Sequence, residues 1–112
     1  MNIAQIDRLK AMMLGLPIKR ESQNVPLGYE PSKKYKNVLE PVQEELELIH
    51  KCTQLHKNGT SWQKLADWIQ DKTGHRIAAH NLSALCKTRP VSVAIFLPLK
   101  EREKLFYERQ DL

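Results

Sequence analysis

The stretch from 61 to 87, SWQKLADWIQDKTGHRIAAHNLSALCK, decides the fold. Trp62, Leu65, Ala66 and Ile69 recur at the three- and four-residue intervals that bring side chains to one face of an α-helix. Thr60 or Ser61 offers a hydroxyl to cap the first turn, and Gly74 tolerates the left-handed conformation in which helices end. After a turn over Thr73 to Ile77, a second helix is predicted from about Ala79 to Lys87. It turns Leu82, Leu85 and Cys86 inward, and Pro90 lies just beyond it. Ala66 is small where two helices joined by so short a turn must cross closely. Ala78 stands where Ser or Thr would cap the second helix, which forfeits about 1 kcal/mol.

Upstream, Pro41 is suited to a helix start and Glu44, Glu45 and Glu47 to the positive end of its dipole. Val42, Leu46, Ile49 and Leu55 then form an inner face up to about Lys57, where Asn58-Gly59 stops the helix. Residues 41–90 are therefore predicted to be a trihelical, helix-turn-helix-like domain. In residues 1–40, a short helix with Ile3, Ile6, Leu9 or Lys10, and Met13 on its inner side ends at Gly15 and Pro17. The rest of that region, to Pro41, holds Pro17, Pro26, Pro31 and the basic run Lys33, Lys34, Tyr35, Lys36 without a sustained apolar period, and reads as an arm. In residues 91–112, Val91, Val93, Ile95 and Leu97 alternate as in a strand or extended segment, although Ala94 and Phe96 make the other side apolar too. Pro98 then opens a helix that buries Leu99, Leu105, Phe106 and Tyr107. The expected class is mainly α, with the C-terminal extension as a segment for oligomerisation or partner binding.

A chain of 112 residues supports one core, and its formal charge of +5 favours an anionic partner. The excess lies in 1–40 and 58–90, while 91–112 balances. Two cysteines are too few for a disulfide scaffold, and no uninterrupted apolar run suggests an export signal or a membrane span, so a cytoplasmic protein is expected. Cys52 and His56 are four residues apart on one helix, and His80 and Cys86 share another, but the pattern is no known zinc spacing and both cysteines suit an apolar interior. No nucleophile with its base, glycine-rich phosphate loop or paired inner carboxylates is present, so neither catalysis nor a cofactor is expected.

The helix from about Ala79 leaves Ala79, His80, Asn81, Ser83, Ala84 and Lys87 outward. Asn can pair with adenine, His and Ser can donate or accept, and Ala can meet a thymine methyl in a major groove. Arg76, Lys87 and Arg89 at its ends, and Lys33, Lys34 and Lys36 in the arm, are candidates for phosphate contact. The partner this pattern suggests is double-stranded DNA.

Residues 26–87 resemble the DNA-binding recombinase domain of large serine recombinases. Pro26, Gly28 and Tyr29 match a Pro-x-Gly-Tyr opening that precedes a proline-started helix and a glycine turn, and Leu65, Ala66 and Ile69 match the helix core. The arrangement is also similar to small helix-turn-helix domains of tailed-phage proteins, including DNA-packaging (small terminase-like) proteins. The resemblance implies a helix-turn-helix fold and an accessory protein of a phage or mobile element, acting in recombination, packaging or transcription control inside a bacterial or phage-infected cell. Strand exchange, which needs the catalytic domain preceding this region in the recombinases, is not expected. The alternative is an assembly, structural or host-takeover protein that self-associates or captures a protein partner through its terminal segments.

Overall fold

Among the described residues, five α-helices and three short strands follow one another as α1 (Ile3–Met13), β1 (Ile18–Lys19), β2 (Tyr29–Pro31), β3 (Val38–Pro41), α2 (Gln43–Lys57), α3 (Trp62–Thr73), α4 (Ala79–Thr88), a 3-10 turn (Val93–Phe96) and α5 (Leu99–Glu108). This is a computed structural model describing residues 3–88 and 90–108, with side chains over 8–88 and 90–106. The expected inner residues Ile3, Ile6 and Tyr107 lie outside the described side chains.

The central helices form where the sequence places them. Ser61 caps α3 by accepting a hydrogen bond from Lys64 N (3.3 Å). Gly74 ends the helix at φ 77°, donating its N–H to Gln70 O (2.8 Å). The glycine conformation there turns the chain at once toward α4. Leu65, Ala66 and Ile69 of α3 pack with Leu46, Ile49 and Cys52 of α2 and Leu82 and Cys86 of α4. Trp62 and Trp68 cover the edge of this core, Trp62 stacked on His56 (centroids 3.9 Å) and Trp68 beneath Lys51 Nζ (5.8 Å).

Residues 16–41 are not an arm. They fold into an antiparallel sheet of order β1-β3-β2, pairing Ile18 with Leu39 and Tyr29 with Pro41. Strands of two to four residues are too short to show a period of two, which is why the segment reads as irregular. Pro41 accordingly ends β3 rather than opening α2, whose preceding residue, Val42, has no side-chain cap. Ile18, Tyr29 and Leu39 form a second cluster with Ala11, Met12 and Leu16, and the Tyr29 hydroxyl donates to Leu16 O (2.8 Å). Docking on this sheet sets the rotation of α1, so Ala11 and Met12 are buried while Leu9 is exposed and Met13 half-buried.

The C-terminal segment also departs from expectation. Val93–Phe96 is a 3-10 turn, capped by the Ser92 hydroxyl on Ala94 N (3.1 Å), and not a strand. Ala94 and Ile95 are buried, Val91 and Ile95 joining the helical core. Since both sides of this segment are apolar, alternation alone cannot separate a strand from a tight helical turn. Leu99 stays exposed, and Arg102 is the buried residue among the described side chains of α5.

Cys52 and Cys86 are buried thiols. Burial, and to a lesser degree Cys86, pushes the Cys52 thiol up from 9.0 to about 12. Above pH 9 the unfolded chain releases this proton while the folded chain keeps it. The contribution to stability is thus full below about pH 9 and declines as pH rises toward 12. Urea melts at pH 8 and 10 should show a loss that is smaller in a Cys52→Ala background. A disulfide-exchange reagent at pH 8 should label both thiols only as fast as the protein unfolds; labelling at free-thiol rates would show them accessible.

Candidate nucleic-acid interface

At 100° per residue, His80, Asn81, Ala84, Lys87 and Thr88 span about 120° of α4. All five are exposed, whereas Leu82 and Cys86 opposite them are buried. Ser83, expected to face outward, sits half-buried at the margin. Among the described residues the side chains of His80 and Asn81 make no hydrogen bond, and Lys87 and Arg76 have no ion-pair partner, so their donors and acceptors are available to a ligand. Arg76 is exposed in the turn before α4. Arg89 lies outside the described residues.

That turn is fastened to the sheet by one carboxylate. Glu45 accepts a hydrogen bond from Gly28 N at Oε1 (2.9 Å), and its Oε2 lies 3.5 Å from His75 Nε2. Gly28 immediately precedes β2, and His75 follows the glycine that ends α3. The base of the β2–β3 hairpin is therefore held against the turn that aims α4.

Lys33, Lys34 and Lys36 occupy the exposed tip of this hairpin. The tip is held by Ser32, whose hydroxyl accepts from Lys34 N and Tyr35 N (both 3.1 Å) and donates to Glu40 Oε1 (3.0 Å). Asn37 closes the loop at φ 63°, and Ser32 N donates to Val38 O (2.8 Å). Two neighbours were not legible as part of this group. Tyr35, 62 % exposed, stands among the lysines, and the interleaved Lys-Lys-Tyr-Lys run was its only signal. Arg20 reaches the tip through β1, with its N–H on Asn37 O (2.8 Å), although its guanidinium is engaged by Ser22 O and Gln23 O (2.9 and 2.8 Å). Nothing local in sequence links residue 20 to residue 37; only strand pairing does.

The sulfur and imidazole groups do not gather. Cys52 and Cys86 face the core, His56 Nδ1 lies 3.0 Å from Thr60 O, and His80 points outward. Among the described residues no three His, Cys, Asp or Glu side chains meet in a metal-binding group, and no helix is long and apolar enough to cross a membrane. Comparison of the chain with protein-family models, with curated proteins and with solved structures finds no match.

Proposed function

We propose that this is a non-catalytic protein that binds double-stranded DNA through α4, as an accessory factor of the phage or mobile-element kind its sequence resembles. The observation that carries the reading is the outer face of α4, where polar and basic side chains are exposed together, unengaged within the protein, opposite a buried apolar stripe. In this reading His80 and Asn81 meet base edges, with Ser83 and Ala84 beside them, and Arg76 and Lys87 meet phosphates together with Arg89, which lies outside the described residues. The net charge of +5 adds long-range attraction to DNA but no choice of sequence.

The two residue types predict separable effects. Lys87→Ala should weaken binding to every duplex and lower the slope of log K against log salt by about one unit. Asn81→Ala should leave the slope unchanged and narrow the gap between preferred and random DNA by roughly 1 to 3 kcal/mol. Titration of both variants against both duplexes at several salt concentrations measures this, after melting curves show each variant folded. Failure of the wild type to bind any duplex at low salt refutes the proposal.

In that event a second reading takes over, an assembly or partner-binding protein. It is favoured by Val93, Phe96, Leu97 and Leu99, which are 67, 57, 42 and 50 % exposed within seven residues. Removal of 91–112 is a poor test, because Ile95 and Arg102 are buried and the deletion takes out part of the core. Phe96→Glu, with molecular size read by sedimentation, serves instead.

A further inference from the structure

The hairpin tip is the largest charged feature that the α4 reading leaves unused. Lys33, Lys34 and Lys36 are exposed with no ion pair among the described residues, and Tyr35 beside them has no ring partner there. An aromatic at 62 % exposure on a turn held by Ser32 and Asn37 contributes little to the core. The shaft below the tip has the opposite sign, since Glu30 and Glu40 stand directly opposite each other. Like charges so placed cost stability and repel a polyanion, which leaves the tip as the one part of the hairpin suited to phosphate.

Position relates the tip to α4. From Gly28 to Lys33 an extended chain covers about 17 Å at roughly 3.3 Å per residue. Gly28 is itself joined through the Glu45 carboxylate to His75, by contacts of 2.9 and 3.5 Å. Adding the width of the carboxylate and the length of the His75 side chain, the Lys33 backbone is no more than about 31 Å from the His75 backbone, which is within the ~34 Å of one turn of duplex. A separation of this order is within reach of a single duplex of about one helical turn or more.

We infer that the β2–β3 hairpin is a second arm of the DNA grip, whose Lys33, Lys34 and Lys36 contact the phosphate backbone of the same duplex that α4 engages, with Tyr35 packed on the sugar-phosphate edge. The inference rests on the proposed DNA binding and adds a division of labour: the hairpin supplies affinity and length of footprint, α4 supplies choice. A duplex of about one helical turn or more is then required for full affinity.

The test uses the full chain with Lys33, Lys34 and Lys36 all changed to Gln. These are exposed loop positions, and the melting curve should match wild type. Binding to a 20-base-pair duplex should lose about two to three units of salt slope, at about 0.9 per phosphate contact, and protection from hydroxyl radicals should disappear from one flank. The ratio of affinities for preferred and random duplexes should stay within twofold of wild type. Wild type should lose affinity on an 8-base-pair duplex, whereas the triple variant should be nearly indifferent to length. If the variant keeps the wild-type slope and footprint while Lys87→Ala lowers the slope, the tip is only a solvated run and the inference falls alone. Collapse of sequence preference in the triple variant would also overturn it, because the tip would then be reading bases. If wild type binds no duplex at low salt, the α4 reading and this one fail together.

Discussion

Arg102→Leu should destabilise the protein by on the order of 4 kcal/mol, a large share of the roughly 5–15 kcal/mol typical of a domain. Arg102 is 5 % exposed and has no carboxylate within ion-pairing distance among the described residues. Its guanidinium donates instead to Leu97 O from Nε (2.8 Å), to Gly15 O from Nη1 (3.1 Å), and to Gln43 Oε1 from Nη2 (2.8 Å), with a further bond from Nη2 to Ile95 O. One side chain therefore joins the end of α1, the start of α2 and the C-terminal end of the 3-10 turn. Burial lowers its pKa, opposed by Tyr29 and Glu47, but a guanidinium stays protonated at ordinary pH. Leucine fills much of the volume and leaves Gly15 O and Leu97 O without their Arg102 donors, each at about 1–3 kcal/mol, while Ile95 O keeps the bond from Gln43 Nε2 (2.8 Å). Arg102→Lys keeps the charge without the planar fork and should fall between the two. Urea unfolding measures both. A loss below about 1 kcal/mol for the leucine variant would mean that water reaches these carbonyls and that Arg102 is no staple.

Leu46→Ala should cost about 2–5 kcal/mol, because Leu46 is fully buried where the two halves of the interior meet. A Cβ at Gly15 would come within 2.9 Å of Leu46 Cδ1, and one at Gly28 within 2.9 Å of Leu46 Cδ2. Both glycines have positive φ, 68° and 98°. Gly28→Ala should therefore be destabilising twice over, by backbone strain of roughly 1–2 kcal/mol and by collision with Leu46. The two parts separate in a double-mutant cycle. Shortening Leu46 removes the collision and not the strain, so Leu46→Ala with Gly28→Ala should be less destabilised than the sum of the single changes by about 1 kcal/mol. Strict additivity would show that the Gly28 penalty is all backbone.

What the sequence determined by itself was local. Ser61, Gly74 and the spacing of Leu65, Ala66, Ile69, Leu82 and Cys86 are enough to specify α3, α4 and the exposed side of α4, because caps, left-handed stops and a 3.6-residue period act within a few residues. His80, Asn81 and Lys87 were readable as exposed for the same reason, and Ser83 was misjudged only because it lies at the edge of the arc. The tertiary structure decided everything that joins distant positions. Three strands of two to four residues carry no periodic signal, and they exist because Tyr29, Ile18 and Leu39 are buried against α1 and because β3 lies between two partners. That Ala11 and Met12 are buried while Leu9 is exposed follows from the sheet on which α1 docks. Val93–Phe96, apolar on both sides, became a 3-10 turn since that shape lets Ile95 enter the core and presents Ile95 O and Leu97 O to Arg102. Arginine and glutamate are ordinarily surface residues, so neither Arg102 as a staple nor Glu45 as a bridge could be read from composition or spacing. Each becomes interpretable only when folding places carbonyls, amides and an imidazole around it, at sequence separations where loop closure rather than local preference governs which groups meet.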